Sequence, residues 1–221
     1  MNALLVVEGL AKAYVDGNAR REVLHGLSMV VQPGEVVALC GPSGSGKTTL
    51  LNLVAGLLEP DAGRVRLDTT EGERWIAPAA PSARTAVRRR HMGYVFQFFN
   101  LVPTLTVREN VLLPLELTRR QGLAERALAR LHALGLGDLE DQFPDQLSGG
   151  ERQRTAIARA LAHEPCLVLA DEPTGNLDRD NAARVVDLLW QEVRSLNSAL
   201  LVATHDPVVA DRADRVVGFG Q

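Results

Sequence analysis

The chain has 221 residues, enough for one sizeable core, with 46% hydrophobic and only 4% aromatic content. That balance excludes a disordered polymer and a small disulfide-built scaffold. A net charge of −3 excludes a global electrostatic footprint for nucleic acid, and no nucleic-acid partner is expected.

The N-terminal MNALLVVEGL lacks the basic region and long apolar run of a secretory signal. No segment approaches the roughly 18 apolar residues that a transmembrane helix needs. The chain therefore reads as cytoplasmic, with any peripheral place on the inner face of the membrane supplied by a partner. Cys40 and Cys166 each sit in a short apolar run and read as small buried hydrophobes of a reducing compartment.

Four Val- and Leu-rich runs lack polar alternation: VVALC (36–40), MGYVF (92–96), CLVLA (166–170) and ALLVA (199–203). Such runs suit strands covered on both faces of a parallel sheet, and helical patterns starting at Lys47, Asp180 and Asp206 make the class α/β. The first run feeds GPSGSGKT (41–48), which matches G-x-x-x-x-G-K-[ST]. In this loop of Gly41, Pro42, Ser43, Gly44, Ser45 and Gly46, the glycines let the backbone curl so that its N–H groups face an anion. Lys47 adds a charge at the β- and γ-phosphates, and the Thr48 hydroxyl suits Mg²⁺. Thr49 continues the helix TTLLNLVAGLL, whose positive dipole end points at the phosphates.

Residues 69–87, TTEGERWIAPAAPSARTAV, carry Gly, Pro, Ser and Ala and read as an exposed connection. The run Arg88-Arg89-Arg90-His91, with Arg84 nearby, reads first as a solvated lead-in to the next strand, contact with anionic lipid or nucleic acid being the alternative. From 98 to 161 the pattern is helical. LTVRENVLLPLEL opens with a capping box from Thr106 to Glu109, and LAERALARLHAL sets Leu128, Leu131 and Leu134 on one face before Gly135 and Gly137 stop it. LSGGERQR (147–154) is another helix start, with Ser148 as N-cap and Glu151 at the capping-box spacing. Its Gly149 and Gly150 are poor helix formers, so something other than propensity favours them.

CLVLADEP ends in Asp171, placed to hold Mg²⁺ through water, and Glu172, placed to orient and deprotonate an attacking water. ALLVATH delivers His205, and Gln97 follows MGYVF. Ligands of open α/β sheets gather at the carboxyl ends of strands. Lys47/Thr48, Gln97, Asp171/Glu172 and His205 therefore converge on one crevice.

With these motifs the chain resembles the ATP-binding-cassette ATPases from near Leu4 to near Val217. The phosphate loop lies at 41–48, the Q-loop at Gln97, the signature at 147–151, the second acidic motif at 167–172, a D-loop-like GNLD at 175–178 and the switch histidine at His205. The signature is the specific element. The resemblance implies a P-loop NTPase (RecA-like) core with a mainly parallel sheet, an N-terminal antiparallel β portion and an inserted α-helical subdomain. The implied division is one domain over 1–221, with core parts at 1–97 and 162–221 and the helical subdomain at 98–161.

It implies ATP and Mg²⁺ as cofactors, with Lys47, Gln97, Glu172 and His205 catalytic and Thr48, Gln97 and Asp171 at the metal. It also implies a head-to-tail homodimer around two ATP molecules. Ser148, Gly149, Gly150 and Glu151 then meet the partner's γ-phosphate, Asp178 reaches across the same interface, and Tyr14 stacks on adenine; an ordinary strand tyrosine is the alternative reading. FQFFNLVPTLTVRENV and ADEPTGNLD look most like ATPases of lipoprotein-release, macrolide-exporter and cell-division systems, which drive a separate membrane permease. Phe98, Phe99, Leu101 and Val102 are expected either to form an apolar groove for a permease coupling helix or to be the subdomain's own core. A force-transmitting division ATPase, or a soluble cassette acting on nucleic acid, are the other readings. The ending VVGFGQ leads to the expectation of no C-terminal regulatory domain.

Overall fold

The computed structural model describes residues 3–17 and 19–219. The chain opens with a long hairpin, β1 (Leu5–Asp16) and β2 (Ala19–Val31), then β3 (Val36–Cys40) and α1 (Lys47–Val54). A second hairpin, β4 (Ala62–Thr69) and β5 (Gly72–Ala77), leads into α2 (Pro81–His91) and β6 (Met92–Val95). Then come α3 (Val107–Thr118), α4 (Ala124–Ala133) and α5 (Gly149–Leu161), with short 3₁₀ turns between them. The chain continues through β7 (Leu167–Asp171), α6 (Arg179–Ser195), β8 (Ala199–Thr204), α7 (Pro207–Ala210) and β9 (Arg215–Gly218).

Two sheets result. One is antiparallel, in the order β2-β1-β4-β5; the other is five-stranded and parallel, in the order β6-β7-β8-β3-β9. The four runs read as doubly covered strands are β3, β6, β7 and β8. Every residue of β7 and β8 is buried, which explains their unbroken apolar sequence. Successive side chains of a strand face opposite ways. Val37, Leu39, Leu167, Leu169 and Leu201 accordingly join the core formed with α1 and the antiparallel sheet. Val36, Ala38, Val168, Ala170 and Leu200 join the core formed with α3, α5 and α6.

Between β6 and β7 the described residues hold helices and turns and no strand, as the periodicity predicts. Leu131 and Leu134 are fully buried on the α4 face, and Gly135 stops that helix at φ 71°. The Thr106–Glu109 capping box is formed in full at the start of α3. Arg130 of α4 pairs with Glu192 of α6 at 2.6 Å, both mostly buried.

Two expectations are corrected. Residues 69–87 are not an exposed connection: they contain β5 and most of α2. A tight turn hides the strand, with Thr69 Oγ1 donating to the Gly72 carbonyl at 2.9 Å and Gly72 at φ 104°, while Ile76 and Ala77 are buried. The basic run does lead into the next strand, β6, and it does so as the last turn of α2, where cations oppose the helix dipole favourably. Helix α1 is also shorter than its sequence pattern. It ends at Val54, Gly56 turns left-handed at φ 65°, and Arg88 of α2 donates to the Ala55 and Gly56 carbonyls at 3.2 and 3.4 Å.

Gly93 fixes how α5 lies on the sheet. A Cβ there would stand 2.3 Å from the Ala160 carbonyl oxygen and 3.2 Å from Pro165 Cγ, so helix and strand touch backbone to backbone. Overpacking of this kind costs about 1–3 kcal/mol. Gly93→Ala should lower the urea midpoint of unfolding correspondingly; an unchanged midpoint at unchanged m-value would contradict this contact.

Candidate active site

The phosphate loop leaves β3 and curls through Gly44 (φ 77°) and Gly46 (φ 103°), which caps α1. These conformations favour glycine because an L side chain clashes there. Gly41 has a different reason: a Cβ would lie 2.5 Å from the Phe219 carbonyl, so the chain segment after β9 presses directly on the loop. From the other side, Val23 Cγ1 of β2 would stand 2.9 Å from a Cβ at Gly46. The loop is clamped between the two sheets.

Lys47 is buried and donates from Nζ to the Gly41 and Pro42 carbonyls at 2.7 and 3.0 Å. Its ammonium is 3.9 Å from Glu172 Oε1, and Glu172 Oε2 is 2.7 Å from His205 Nδ1. Glu172 thus bridges a lysine and a histidine delivered by two other strands. It does so at φ 46°, an uncommon left-handed conformation for a non-glycine residue. Its N–H donates to the Ala203 carbonyl at 2.9 Å, and its own carbonyl accepts from Gly175 N–H at 3.0 Å.

A cleft of about 560 Å³ opens over this group, lined by Tyr14, Ser43, Gly44, Gly46, Lys47, Thr48, Thr49, Gln97, Glu172 and His205 among others. Tyr14 OH lies 3.3 Å from Thr49 Oγ1. Beneath the cleft, Thr48 Oγ1 donates to Asp171 Oδ1 at 3.0 Å. Burial, aided by Glu172, raises the Asp171 pKa above the usual carboxylate range, with the Thr48 hydroxyl and Lys47 opposing in part. A hydroxyl and a carboxylate are hard oxygen donors, and among the described residues no group of three or more His, Cys, Asp or Glu forms a metal cage. This pair fits a cation such as Mg²⁺, which keeps waters and takes further ligands from phosphates.

Comparison with known proteins agrees with this geometry. The family model described as ABC transporter matches residues 24–175. The chain belongs to the ABC transporter family. It is an ATP-binding and ATP-hydrolysing subunit of that family. It is 43% identical to the lipoprotein-releasing system ATP-binding protein LolD of Legionella pneumophila, over 97% of this chain and 93% of that one. It is 46% identical to LolD of Bordetella pertussis, over 96% and 90%. An uncharacterised ABC transporter ATP-binding protein of Mycobacterium tuberculosis is 48% identical, over 98% of this chain and 86% of that one. Two dimeric structures of the cassette MJ0796 each superpose with a TM-score of 0.85 over 97% of this chain and 94% of theirs. Their identities are 36% and, for the post-hydrolysis state bound to ADP and Pi, 34%.

In this ABC ATPase the four strand ends do meet, but the signature stands apart. Ser148, Gly149, Gly150, Glu151 and Asp178 do not line the cleft of their own chain. Ser148 caps α5 with the expected box: its N–H donates to Glu151 Oε2 at 2.7 Å, and its hydroxyl to the same oxygen at 2.6 Å. That bonding holds the Glu151 carboxyl below its ordinary pKa. Gly150 has an internal reason to be glycine, since a Cβ would lie 3.2 Å from Asn181 Oδ1. Asp178 caps α6, accepting from Asn181 N–H at 3.0 Å and Asn181 Nδ2 at 2.7 Å.

Of the two readings for Phe98, Phe99, Leu101 and Val102, the structure does not bear out the subdomain core: none of the four belongs to a buried cluster. Phe98 is 70% exposed, and Phe99 and Asn100 adopt left-handed φ values of 61° and 49°. A groove of about 320 Å³ lies beside them, lined by Leu57, Met92, Tyr94, Phe96, Leu113 and Leu117, with Asn100 the one residue of 98–102 among its walls. Arg21 and Val23, which also line the cleft, escape sequence reading because no motif marks them; Asn176, whose Nδ2 donates to the Gln97 carbonyl at 2.7 Å, lies within GNLD, but the motif alone gives it no role.

The raised Asp171 pKa carries a sign. Its folded value exceeds its unfolded one, so its contribution is fully present below the unfolded pKa, about 3.9, and is lost as pH rises through the folded value. Ionising Asp171 in the nucleotide-free protein therefore costs stability. Asp171→Asn, which preserves the acceptor for Thr48, should raise Tm at pH 7 without nucleotide, and the gap should close towards pH 4 while Mg²⁺-dependent turnover is lost. A Tm below wild type at pH 7 contradicts the assignment.

Proposed function

We propose that Gly41 to Thr49, with Lys47, hold the phosphates of ATP, and that Tyr14, beside Thr49 at the cleft edge, stacks on the adenine. Ser45 Oγ, buried without a partner, is a hydroxyl that a phosphate oxygen satisfies. Thr48 and Asp171, with Gln97 at the rim, hold Mg²⁺, which neutralises phosphate charge when bound. Glu172 takes a proton from the water that attacks the γ-phosphorus; the new P–O bond forms as the bond to the β-phosphate oxygen breaks, and ADP leaves. His205, hydrogen-bonded to Glu172, orients that carboxylate.

The observation carrying this reading is the separation of the site into two parts. The acid, lysine and histidine share one cleft, while the capped α5 N-terminus of Ser148, Gly149, Gly150 and Glu151 lies outside it. A helix N-terminus with free N–H groups suits an anion. Two copies arranged head to tail complete each other's site, with Asp178 at the same interface. The division within the one domain is into core parts at 1–97 and 162–221 and a helical part at 98–161.

The relatives named as lipoprotein-releasing ATPases support placing the dimer under a membrane permease of that type, on the cytoplasmic side. No helix among the described residues is long and apolar enough to cross a membrane. The coupling helix of that permease enters the groove of Met92, Phe96, Leu113 and Leu117.

Glu172→Gln should lower turnover by about 10²–10⁴-fold, the usual span of general-base catalysis, and should leave an ATP-held dimer visible by light scattering. Only monomer in that variant at saturating ATP would sink the shared-site reading. Lys47→Ala should abolish nucleotide binding at micromolar ATP; titration with a fluorescent analogue at unchanged affinity refutes the role given to Lys47.

A further inference from the structure

β2 runs alongside the phosphate loop with a matching step. Val23 Cγ1 lies 2.9 Å from the place of a Cβ on Gly46, and Arg21 Nη2 lies 3.8 Å from the same place on Gly44. Residues two apart on a strand share a face, so β2 lays one apolar and one cationic side chain along the loop. Directly across the hairpin from Arg21 stands Tyr14, whose hydroxyl is 3.3 Å from Thr49 Oγ1. Opposed residues of two antiparallel strands are side-chain neighbours, and both of these line the cleft.

Two cations therefore reach the loop from different elements. Lys47 reaches the Gly41 and Pro42 carbonyls from the start of α1, and Arg21 Nη2 donates to the Gly44 carbonyl from β2 at 3.3 Å. The two are not equally committed. Lys47 has the Glu172 carboxylate 3.9 Å away, and Glu172 is the one acid among the cleft's lining residues. Arg21 is exposed, and its single long hydrogen bond is the one polar contact it makes among the described residues, with no ion pair. Its charge and most of its donors are thus unspent, beside a loop whose glycines suit the close approach of an anion.

We propose that Arg21 is a second cation for the phosphates of the nucleotide, contacting phosphate oxygen from the hairpin side of the loop. The inference rests on the reading of this cleft as the ATP site and adds to it a residue that no motif marks. The planar guanidinium can bridge two phosphate oxygens, which an ammonium at the same place cannot. With Tyr14 beside it, one hairpin then carries a contact to each end of the nucleotide. The position is exposed, so the contribution is modest and is screened by salt.

The test is calorimetric titration of the full chain with ATP and Mg²⁺ at low and at high salt. Arg21→Gln should raise the Kd at least about 5-fold at low salt, and the gap to wild type should close as salt rises. Arg21→Lys, which keeps the charge but loses the fork, should recover part of the loss. Arg20→Gln, one residue earlier and so on the opposite face of β2, should leave the Kd unchanged. In steady-state turnover the Arg21→Gln effect should fall on KM, with kcat within about 2-fold, as expected for uniform binding. Unchanged affinity in Arg21→Gln, where Lys47→Ala still abolishes binding, overturns the role of Arg21 and leaves the ATP site standing. A loss that ignores salt and is not recovered by Arg21→Lys marks packing against Gly44, and an equal loss in Arg20→Gln marks the general field of the hairpin; either overturns the inference. Unchanged affinity in Lys47→Ala overturns the site reading and the inference together.

Discussion

A strand buried on both faces of a sheet has no room for charge along its length, because an unpaired buried ion costs several kcal/mol. β7 and β8 obey this along their apolar length, and the constraint expels polar chemistry to the strand ends. There the sheet's twist and parallel order bring separate segments of sequence to one rim. Asp171 marks the limit: it is the last residue of β7, still buried, and it is tolerated because Thr48 donates to it. One residue later, Glu172 leaves the strand in a left-handed turn and points into the cleft between Lys47 and His205.

The same rim fixes the connecting segments. Asn176 holds the Gln97 carbonyl, and Arg159 holds the carbonyls of Phe99 and Asn100. The short kinked stretch after β6 is therefore fastened from two sides, by the loop that follows Glu172 and by the helix that begins at Ser148. The cleft, the signature helix and the groove beside β6 all meet at these few residues.

Much of this was legible in the sequence where one cause dominated. The unbroken apolar runs predicted the doubly covered strands, the phosphate loop predicted its own curl, and both capping boxes formed as spaced. Reading failed where tertiary contacts decided. GERWIA was masked by its Gly- and Pro-containing flanks, and only its pairing with β4 makes it a strand. At Gly41 and Gly150, contacts the sequence does not mark add a second demand for glycine, since a Cβ would meet Phe219 or Asn181 of the same chain. Phe98 read equally as a groove wall or as subdomain core, and its 70% exposure beside a left-handed turn, invisible in composition, removes the core reading.

The contact at Gly150 has a mechanical corollary. Asn181 stands against that glycine and at the same time grips both oxygens of Asp178. The tip of α5 and the tip of α6 are thereby locked in register, like two teeth cut from one gear. The Ser148 and Asp178 caps are therefore presented side by side, with Asn181 setting the offset between them.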